Sequence, residues 1–432
     1  MSMNVVTINT YGGSLLLGIK NAGEDFRCSL SLEDSGFGVE LQRQNFPDLE
    51  VLESLFDWPM DIDLSDSLVI AHPPCSGFSR ANNSRSDLAS GTTSMAFKQT
   101  VNVIKYATGR NAAAVIVESV CQACKGGKEV HDKFLEKYDL FRVFQNSAFL
   151  GTPQWRPRFW AVYLRKDLGG KLGLRDFDGK IVRANEVIDF KGAGVPGQIK
   201  KFNEFREKVA DKFPDMDFDK MARGDLGPGA MPQLMDKELG TKTKGLATYI
   251  SAAPRVVDKN GLVTTLMNNS LWCMNGKMLS QTDFKACMGF PRNYIMPPKD
   301  MLMYLSKGVV PQVATWLLRS IADTIQGKDT ARWTLEGKNQ MFSVNLPKKI
   351  FVDRGTLDRD HDIVTGDMSN VLKKTYTGIQ DTMRSIIFDL SSLPALKKAQ
   401  RSPELTELLT RAVAMVAARD IKAPEQEQDT EE

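Results

Sequence analysis

The sequence predicts an α/β protein: a doubly wound, mostly parallel sheet with a smaller irregular domain and a helical C-terminal extension. Three observations point there. Short apolar runs alternate with helix-period stretches over the first 165 residues, glycine and proline punctuate residues 166–260, and periodic patterns return after about residue 262. Strand–helix alternation favours parallel strands joined by crossover helices, with the sheet covered on both faces. Ligands of such sheets sit beyond the C-terminal ends of the strands, so the loops that follow strands are where chemistry is expected.

The strand candidates are Met3–Ile8, Phe26–Leu32, Ser67–Ala71, Ala113–Val117, Phe141–Gln145 and Phe159–Leu164, with helices at Met95–Thr108 and Lys128–Lys137. These make residues 1–165 the first domain. Residues 166–260 carry GlyGly pairs and the segments KGAGVPG and GDLGPGAMP, and so read as a separate irregular domain. One amphipathic helix is predicted there near Gln198–Phe213, with Ile199, Phe202, Val209 and Phe213 on one side. Residues 261–326 complete the first domain, with a helix at Gly308–Ile321. Residues 327–432 are expected to add helices at Thr377–Leu390 and Pro403–Arg419, the second opened by Ser402-Pro403-Glu404, a good N-cap and first turn. The acidic end after Pro424 is expected to be disordered.

Composition narrows the function classes. The chain has 432 residues, 42% of them hydrophobic and 25% charged, which suits a globular protein of more than one domain. No run approaches the roughly 18 to 20 apolar residues of a membrane span, and the N-terminus lacks the basic and apolar regions of a secretory leader. The six cysteines are too scattered for a disulfide framework, so a reducing, cytoplasmic setting is expected, nucleoid-associated if the chain is bacterial or from a phage. Net charge is +3; the last twelve residues hold five acids and one lysine, leaving +7 on the rest. That is compatible with a nucleic-acid partner without arguing for one. Three histidines do not suggest a His-rich metal site, and Cys121-x-x-Cys124 lacks a second paired set, so no metal is expected.

The most informative stretch is Ser67-Leu-Val-Ile-Ala-His-Pro-Pro-Cys75-Ser-Gly-Phe-Ser79. An apolar strand runs into a Pro-Pro turn that presents one cysteine, a good setting for a nucleophile, because a thiolate needs access and a polarised environment. Position alone also fits a small buried hydrophobe.

Other segments decide between these. Pro73-Pro74-Cys75-Ser76-Gly77-Phe78-Ser79 resembles the Pro-Pro-Cys-Gln-Gly-Phe-Ser nucleophile motif of the cytosine-C5 DNA methyltransferases. Val115-Ile-Val-Glu118-Ser119-Val120 resembles the Glu-Asn-Val motif, and Gln154-Trp-Arg156-Pro-Arg158 matches Gln-x-Arg-x-Arg. Cys287-Met-Gly289-Phe290-Pro291 and Gly308-Val-Val310-Pro311-Gln-Val-Ala314 are similar to two later motifs. The motifs come in the family's order and cover residues 1–165 and about 262–321. The resemblance implies a class I, Rossmann-like methyltransferase dependent on S-adenosylmethionine, with residues 166–260 in the place of the target-recognition domain.

It also implies roles. Cytosine C5 is a poor nucleophile, so a thiolate, here Cys75, must first add at C6. Glu118 is the candidate acid for N3, and Arg156 and Arg158 would hold Glu118, the O2 of the base or a phosphate. The target must leave the base stack, and the loop from Ser79 to Thr93, with Arg80 and Arg85, would close over the duplex. The methyl donor would lie against Tyr11, Gly12 and Gly13 after the first strand, where glycines allow close backbone approach. Glu33 would take the ribose hydroxyls, Asp61 the adenine amino group and Ile62 the adenine face.

This sequence departs from the family's pattern. Phe-x-Gly-x-Gly-Gly has become Ile8-Asn9-Thr10-Tyr11-Gly12-Gly13, Gln after the nucleophile is Ser76, the Asn of Glu-Asn-Val is Ser119, and the Asn of the last motif is Gly308. These changes touch cofactor packing and loop bracing more than reaction type. The middle region is weakly basic, with Lys242, Lys244 and Arg255 as phosphate contacts. Double-stranded DNA is the expected partner. The alternatives are the same chemistry on tRNA, or a catalytically degenerate homologue that binds DNA or a protein. The C-terminal helices would serve self-association or another protein.

Overall fold

The computed structural model describes residues 2–344, apart from 54–57, 60, 79–93, 122, 127–133, 135, 178–180, 189–193, 211–253, 257–261, 267–270, 275–276 and 337–339, together with 363–367. The chain divides into two compact units, Met1–Gly366 and Asp367–Glu432; apart from Asp367 the second lies outside the described residues, as do both predicted C-terminal helices.

Nine strands form the main sheet: β1 (Met3–Ile8), β2 (Phe26–Glu33), β3 (Val51–Glu53), β4 (Ser67–Ala71), β5 (Ala114–Ser119), β6 (Tyr138–Asn146), β7 (Pro157–Arg165), β8 (Gln340–Val344) and β9 (Ile363–Asp367). Their order across the sheet is β9-β8-β6-β7-β5-β4-β1-β2-β3. Strand β7 runs antiparallel to both its neighbours, β5 and β6, while β1 is parallel to β2 and β4, and β4 to β5. The fold is thus doubly wound and mostly parallel, as the alternation of the sequence predicts. The chain reverses direction of winding at β1, between β2 and β4, and that switch point opens a crevice beyond the strand ends.

Alternate side chains of each strand feed two cores. Val5, Leu68, Ile70, Ile116 and Val162 face one side, together with Leu15–Leu17 of helix α1 (Ser14–Ala22) and Leu317, Leu318 and Ile321 of the helix Pro311–Ile325. Val6, Ile8, Val69, Val115 and Tyr163 face the other, with Val103, Ile104 and Ala107 of helix α2 (Met95–Gly109). Strands buried on both faces account for the near-continuous apolar runs that marked them in the sequence.

Residues 166–175 do not depart into an irregular region as the sequence suggested. Lys171–Arg175 pairs antiparallel with Ala331–Glu336, and Trp316 Nε1 donates to Arg175 O at 2.9 Å. The zone after residue 327, expected to be helical, therefore opens with strands. Glu136 and Lys137, at the end of the predicted Lys128–Lys137 helix, form a turn, and most of that stretch lies outside the described residues. The helix predicted at Gln198–Phe213 is observed at Pro196–Ala210.

Candidate active site

The register of the central strands assembles the site. Ile8 pairs with Leu32 and with Ala71, and Ala71 pairs with Val117. The next residue on each chain, Glu33, Asn9, His72 and Glu118, therefore falls in one row across four strand ends. On the antiparallel side Glu118 stands opposite Trp160, which makes Arg158, two residues away on β7, its diagonal neighbour on the same face.

His72 Nε2 lies 2.9 Å from Glu118 Oε2, and Arg158 Nε lies 3.1 Å from Glu118 Oε1. Both His72 and Glu118 are buried, Glu118 completely. Cys75 follows three residues after His72, half-buried on the Pro-Pro turn. The electrostatics of the group are coupled. Burial works to raise the Cys75 thiol, but the nearby His72 and then the charge of Arg158 outweigh it and hold it below the usual thiol range. Burial would lower the His72 imidazole, yet the Glu118 charge and the nearby Cys75 lift it to about 9. Glu118, despite complete burial, stays below the usual carboxylate range because His72 and the two arginines favour its anion.

The arginines divide their work. Arg156 turns away toward the later segment: its Nη2 donates to Ser306 O at 2.8 Å and to Gly308 O at 2.6 Å. Its Nε and Nη1 are buried without partners. Gly308, where the last motif has lost its Asn, contributes the carbonyl that Arg156 grips.

The neighbouring loop after β1 has a conformation that the sequence only hinted at. Asn9, Tyr11 and Gly13 all have positive φ (57°, 53° and 76°), whereas Thr10, which stands where the family carries a glycine, is not among the left-handed residues. The lost glycine thus sits where the backbone does not need one. The loop is pinned by a distant segment: Tyr294 Oη donates to Gly12 O at 2.7 Å, and Val309 N donates to Ser14 Oγ at 3.1 Å. A Cβ on Gly13 would collide with the Tyr294 hydroxyl. Tyr11 N donates to Glu33 Oε2 at 2.8 Å, and Gln42 Nε2 donates to the same oxygen at 2.8 Å. Glu33 Oε1, Asn9 Nδ2 and Thr10 Oγ1 are buried and unpaired. Burial, and then the charge of Asp34, push the Glu33 carboxyl well above its usual range. Three orphaned polar atoms around one glycine-lined loop fit a ligand that brings hydroxyl donors and polar groups of its own.

A model of the C-5 cytosine-specific DNA methylase family matches residues 3–325. The chain belongs to this family. Type II methyltransferase M1.HphI of Haemophilus parahaemolyticus is 28% identical over 185 residues, which cover 40% of this chain and 48% of that protein; the match thus spans less than half of that relative's length. Among solved structures, a prophage-encoded E. coli protein assigned as a DNA modification methyltransferase superposes with a TM-score of 0.53 at 14% identity, covering 75% of this chain and 100% of that one. The Entamoeba histolytica methyltransferase EhMeth superposes with a TM-score of 0.50 at 11% identity, covering 75% and 98%. At those identities the likeness is one of fold, the class I, Rossmann-like methyltransferase fold.

For this C-5 cytosine methylase family member, the structure gathers Cys75, Glu118 and Arg158 at neighbouring strand ends and sets Glu33 at the end of the next strand but one, bonded to Tyr11 N of the glycine-bearing loop. Asp61 is exposed, and Ile62 packs on the edge of the second core. Ser79, Arg80 and Arg85 of the expected closing loop lie outside the described residues, as do Lys242 and Lys244, while Arg255 lies on the short strand Pro254–Val256. Sequence reasoning missed His72, counted there only among histidines too few for a metal. It also missed Tyr294. The signal for His72 was its place, between the last strand residue and the Pro-Pro turn. Among the described residues, no helix is long and apolar enough to cross a membrane.

Proposed function

We propose that the protein is a DNA cytosine-C5 methyltransferase, transferring a methyl group from S-adenosylmethionine to C5 of an everted cytosine in duplex DNA. The observation that carries this reading is Cys75 at a strand-end crevice beside a buried, ionised Glu118 that is bracketed by His72 and Arg158. The family match favours DNA as the substrate over tRNA.

Cys75 Sγ adds to C6 of the base while the proton leaving the thiol, taken up by the Glu118 carboxylate, reaches N3, so that the electron pair of the C5–C6 double bond becomes available at C5 as an enamine. Arg158 fixes the carboxyl, and the free Nε and Nη1 donors of Arg156 supply hydrogen bonds for the base's O2. Bound S-adenosylmethionine supplies the electrophilic methyl group. Glu33 would accept from its ribose, the backbone of Tyr11, Gly12 and Gly13 would hold the methionyl part, and Asp61 and Ile62 would hold the adenine. After transfer, water takes the C5 proton, the electron pair left at C5 re-forms the C5–C6 double bond as the sulfur leaves as a thiolate, and N3 returns its proton to Glu118. Ser79, Arg80 and Arg85 supply contacts to the duplex. Residues 166–260 supply target recognition, and the C-terminal region a contact with a second copy or another protein. The setting is cytoplasmic.

Incubation with methyl-labelled cofactor and, separately, duplex DNA and tRNA tests the reading. Label in DNA, located as 5-methylcytosine by bisulfite sequencing, supports it. Label in tRNA alone would make the protein an RNA methyltransferase, and label in neither, with the fold intact, would make it a binding homologue.

A further inference from the structure

Resting on the reading of Glu33 as the acceptor for the ribose of S-adenosylmethionine, we infer that Gln42 is a positioning residue of the cofactor site. It holds one carboxylate oxygen of Glu33, so that the other, Oε1, is presented to the ribose hydroxyls. The hydroxyls of Ser31 and Thr7 hold Gln42 in turn. The geometry is a continuous chain of hydrogen bonds. Thr7 Oγ1 donates to Ser31 Oγ at 2.8 Å, Ser31 Oγ donates to Gln42 Oε1 at 2.6 Å, and Gln42 Nε2 donates to Glu33 Oε2 at 2.8 Å. Tyr11 N, from the glycine-bearing loop, donates to the same Oε2 at 2.8 Å. Thr7, Ser31, Glu33 and Gln42 are all withdrawn from solvent.

The fold puts these four side chains together. Thr7 and Ser31 are register partners on β1 and β2, Glu33 lies two residues beyond Ser31 and so on the same face, and Gln42 reaches them from the helix Gly36–Asn45. The direction of the relay follows from proton count, because a hydroxyl has one proton to give. Thr7 gives its proton to Ser31, Ser31 gives its own to the amide oxygen, and the amide nitrogen is thereby turned toward the carboxyl. Buried polar groups are costly unless they are paired. Here both hydroxyls and the amide have partners, and Glu33 Oε1 is the relay atom left without one. The carboxyl has little room to turn, since a Cβ on Gly38 would come within 2.8 Å of Glu33 Cγ and Cδ. Burial and the neighbouring Asp34 push this carboxyl upward, and the two N–H donors on Oε2 work against them, favouring the anion that accepts from hydroxyls.

The test reads binding, without methylation. Calorimetry gives the Kd of S-adenosylhomocysteine and of its 2′,3′-dideoxyribose analogue, and the ratio of the two measures what the ribose hydroxyls contribute. The wild type is expected to bind the dideoxy analogue about tenfold or more weakly, as loss of a charge-assisted hydrogen bond requires. In Gln42→Met, similar in length but without the amide, the ratio falls to about threefold or less, through weaker binding of S-adenosylhomocysteine. In a Glu33→Ala background Gln42→Met moves the ratio no further, because Gln42 acts through Glu33. A packing role alone would weaken both ligands equally, and a wild-type ratio in folded Gln42→Met overturns the inference. Should Gln42→Met fail to fold, Ser31→Ala, which releases the amide oxygen, decides: a reduced ratio supports the relay and a wild-type ratio overturns it. A wild type that binds both ligands alike would take the ribose away from Glu33 and the inference with it, while methyl transfer to DNA would still uphold the methyltransferase reading. No binding of S-adenosylhomocysteine by the folded wild type would sink the cofactor reading itself, and Gln42's part in it.

Discussion

His72 and Glu118 sit side by side at the ends of adjacent parallel strands, Nε2 to Oε2 at 2.9 Å, both removed from solvent. A buried pair of this kind ties stability to pH, and Cys75→Ala exposes the tie by leaving the imidazole to Glu118 alone. The His72 pKa is raised in the folded protein, so its contribution is complete below about 6.5, its unfolded value, and is lost as pH climbs toward 9. The Glu118 pKa is depressed, so its contribution is complete above about 4.3 and is lost only as pH falls through its lower folded value. The melting temperature of Cys75→Ala is therefore expected to be highest between about pH 5 and 6.5 and to decline toward pH 9. In the wild type the depressed Cys75 thiol acts in the opposite sense, its contribution complete above about 8.5, and flattens that decline. Calorimetry across the range checks both; a Cys75→Ala melting temperature level from pH 6 to 9 would contradict the pairing.

The two arginines are expected to fail differently. Arg156→Lys loses the fork that reaches Ser306 O and Gly308 O, and should cost about 1–3 kcal/mol because a buried carbonyl loses its partner. Arg158→Lys keeps the charge near Glu118 on a partly exposed side chain. It should melt close to wild type while kcat falls about tenfold or more through loss of planar orientation. Thermal melts beside steady-state kinetics separate the two, and equal melting losses would refute the division.

Gly18 offers a test of how the distant segment is clamped onto the first helix. Alanine in a helix interior usually gains about 0.5–1 kcal/mol over glycine. Here its Cβ would meet Ala314 Cβ at 2.7 Å and the backbone oxygen of Pro311 at 3.0 Å. Gly18→Ala is therefore expected to lose about 1–3 kcal/mol by overpacking, read as a lower denaturant midpoint. A rise in the midpoint would mean that the two helices are not in close contact.

Where a signal was local, the sequence was legible. Met3–Ile8 and Ser67–Ala71 are strands with the predicted ends, because an unbroken apolar run bounded by a turn carries its own limits. Cys75, Glu118 and Arg158 could be named individually, since each stands in a short motif that resembles the family's. What escaped was fixed by partners far along the chain. Val51–Glu53 is three residues long and is a strand only because it lies beside Ser31–Glu33. Lys171–Arg175 finds its mate some 160 residues later, which no local period announces. Arg156 looks like its neighbour Arg158 in sequence, and only the return of the Met301–Lys307 helix gives it Ser306 and Gly308 to hold. His72 was overlooked because a lone histidine after a buried strand is read as core until the register sets it beside Glu118.

Covalent trapping addresses the central claim most directly. Duplex DNA carrying 5-fluorocytosine at a target site identified by bisulfite sequencing is incubated with the protein and S-adenosylmethionine, and the products are denatured and separated. The C5 fluorine cannot leave as a proton does, so the wild type is expected to remain bonded to DNA through Cys75, with the linkage mapped to that peptide and absent from Cys75→Ala. Methylation of the ordinary site without any trapped species, or equal trapping by Cys75→Ala, would contradict the account.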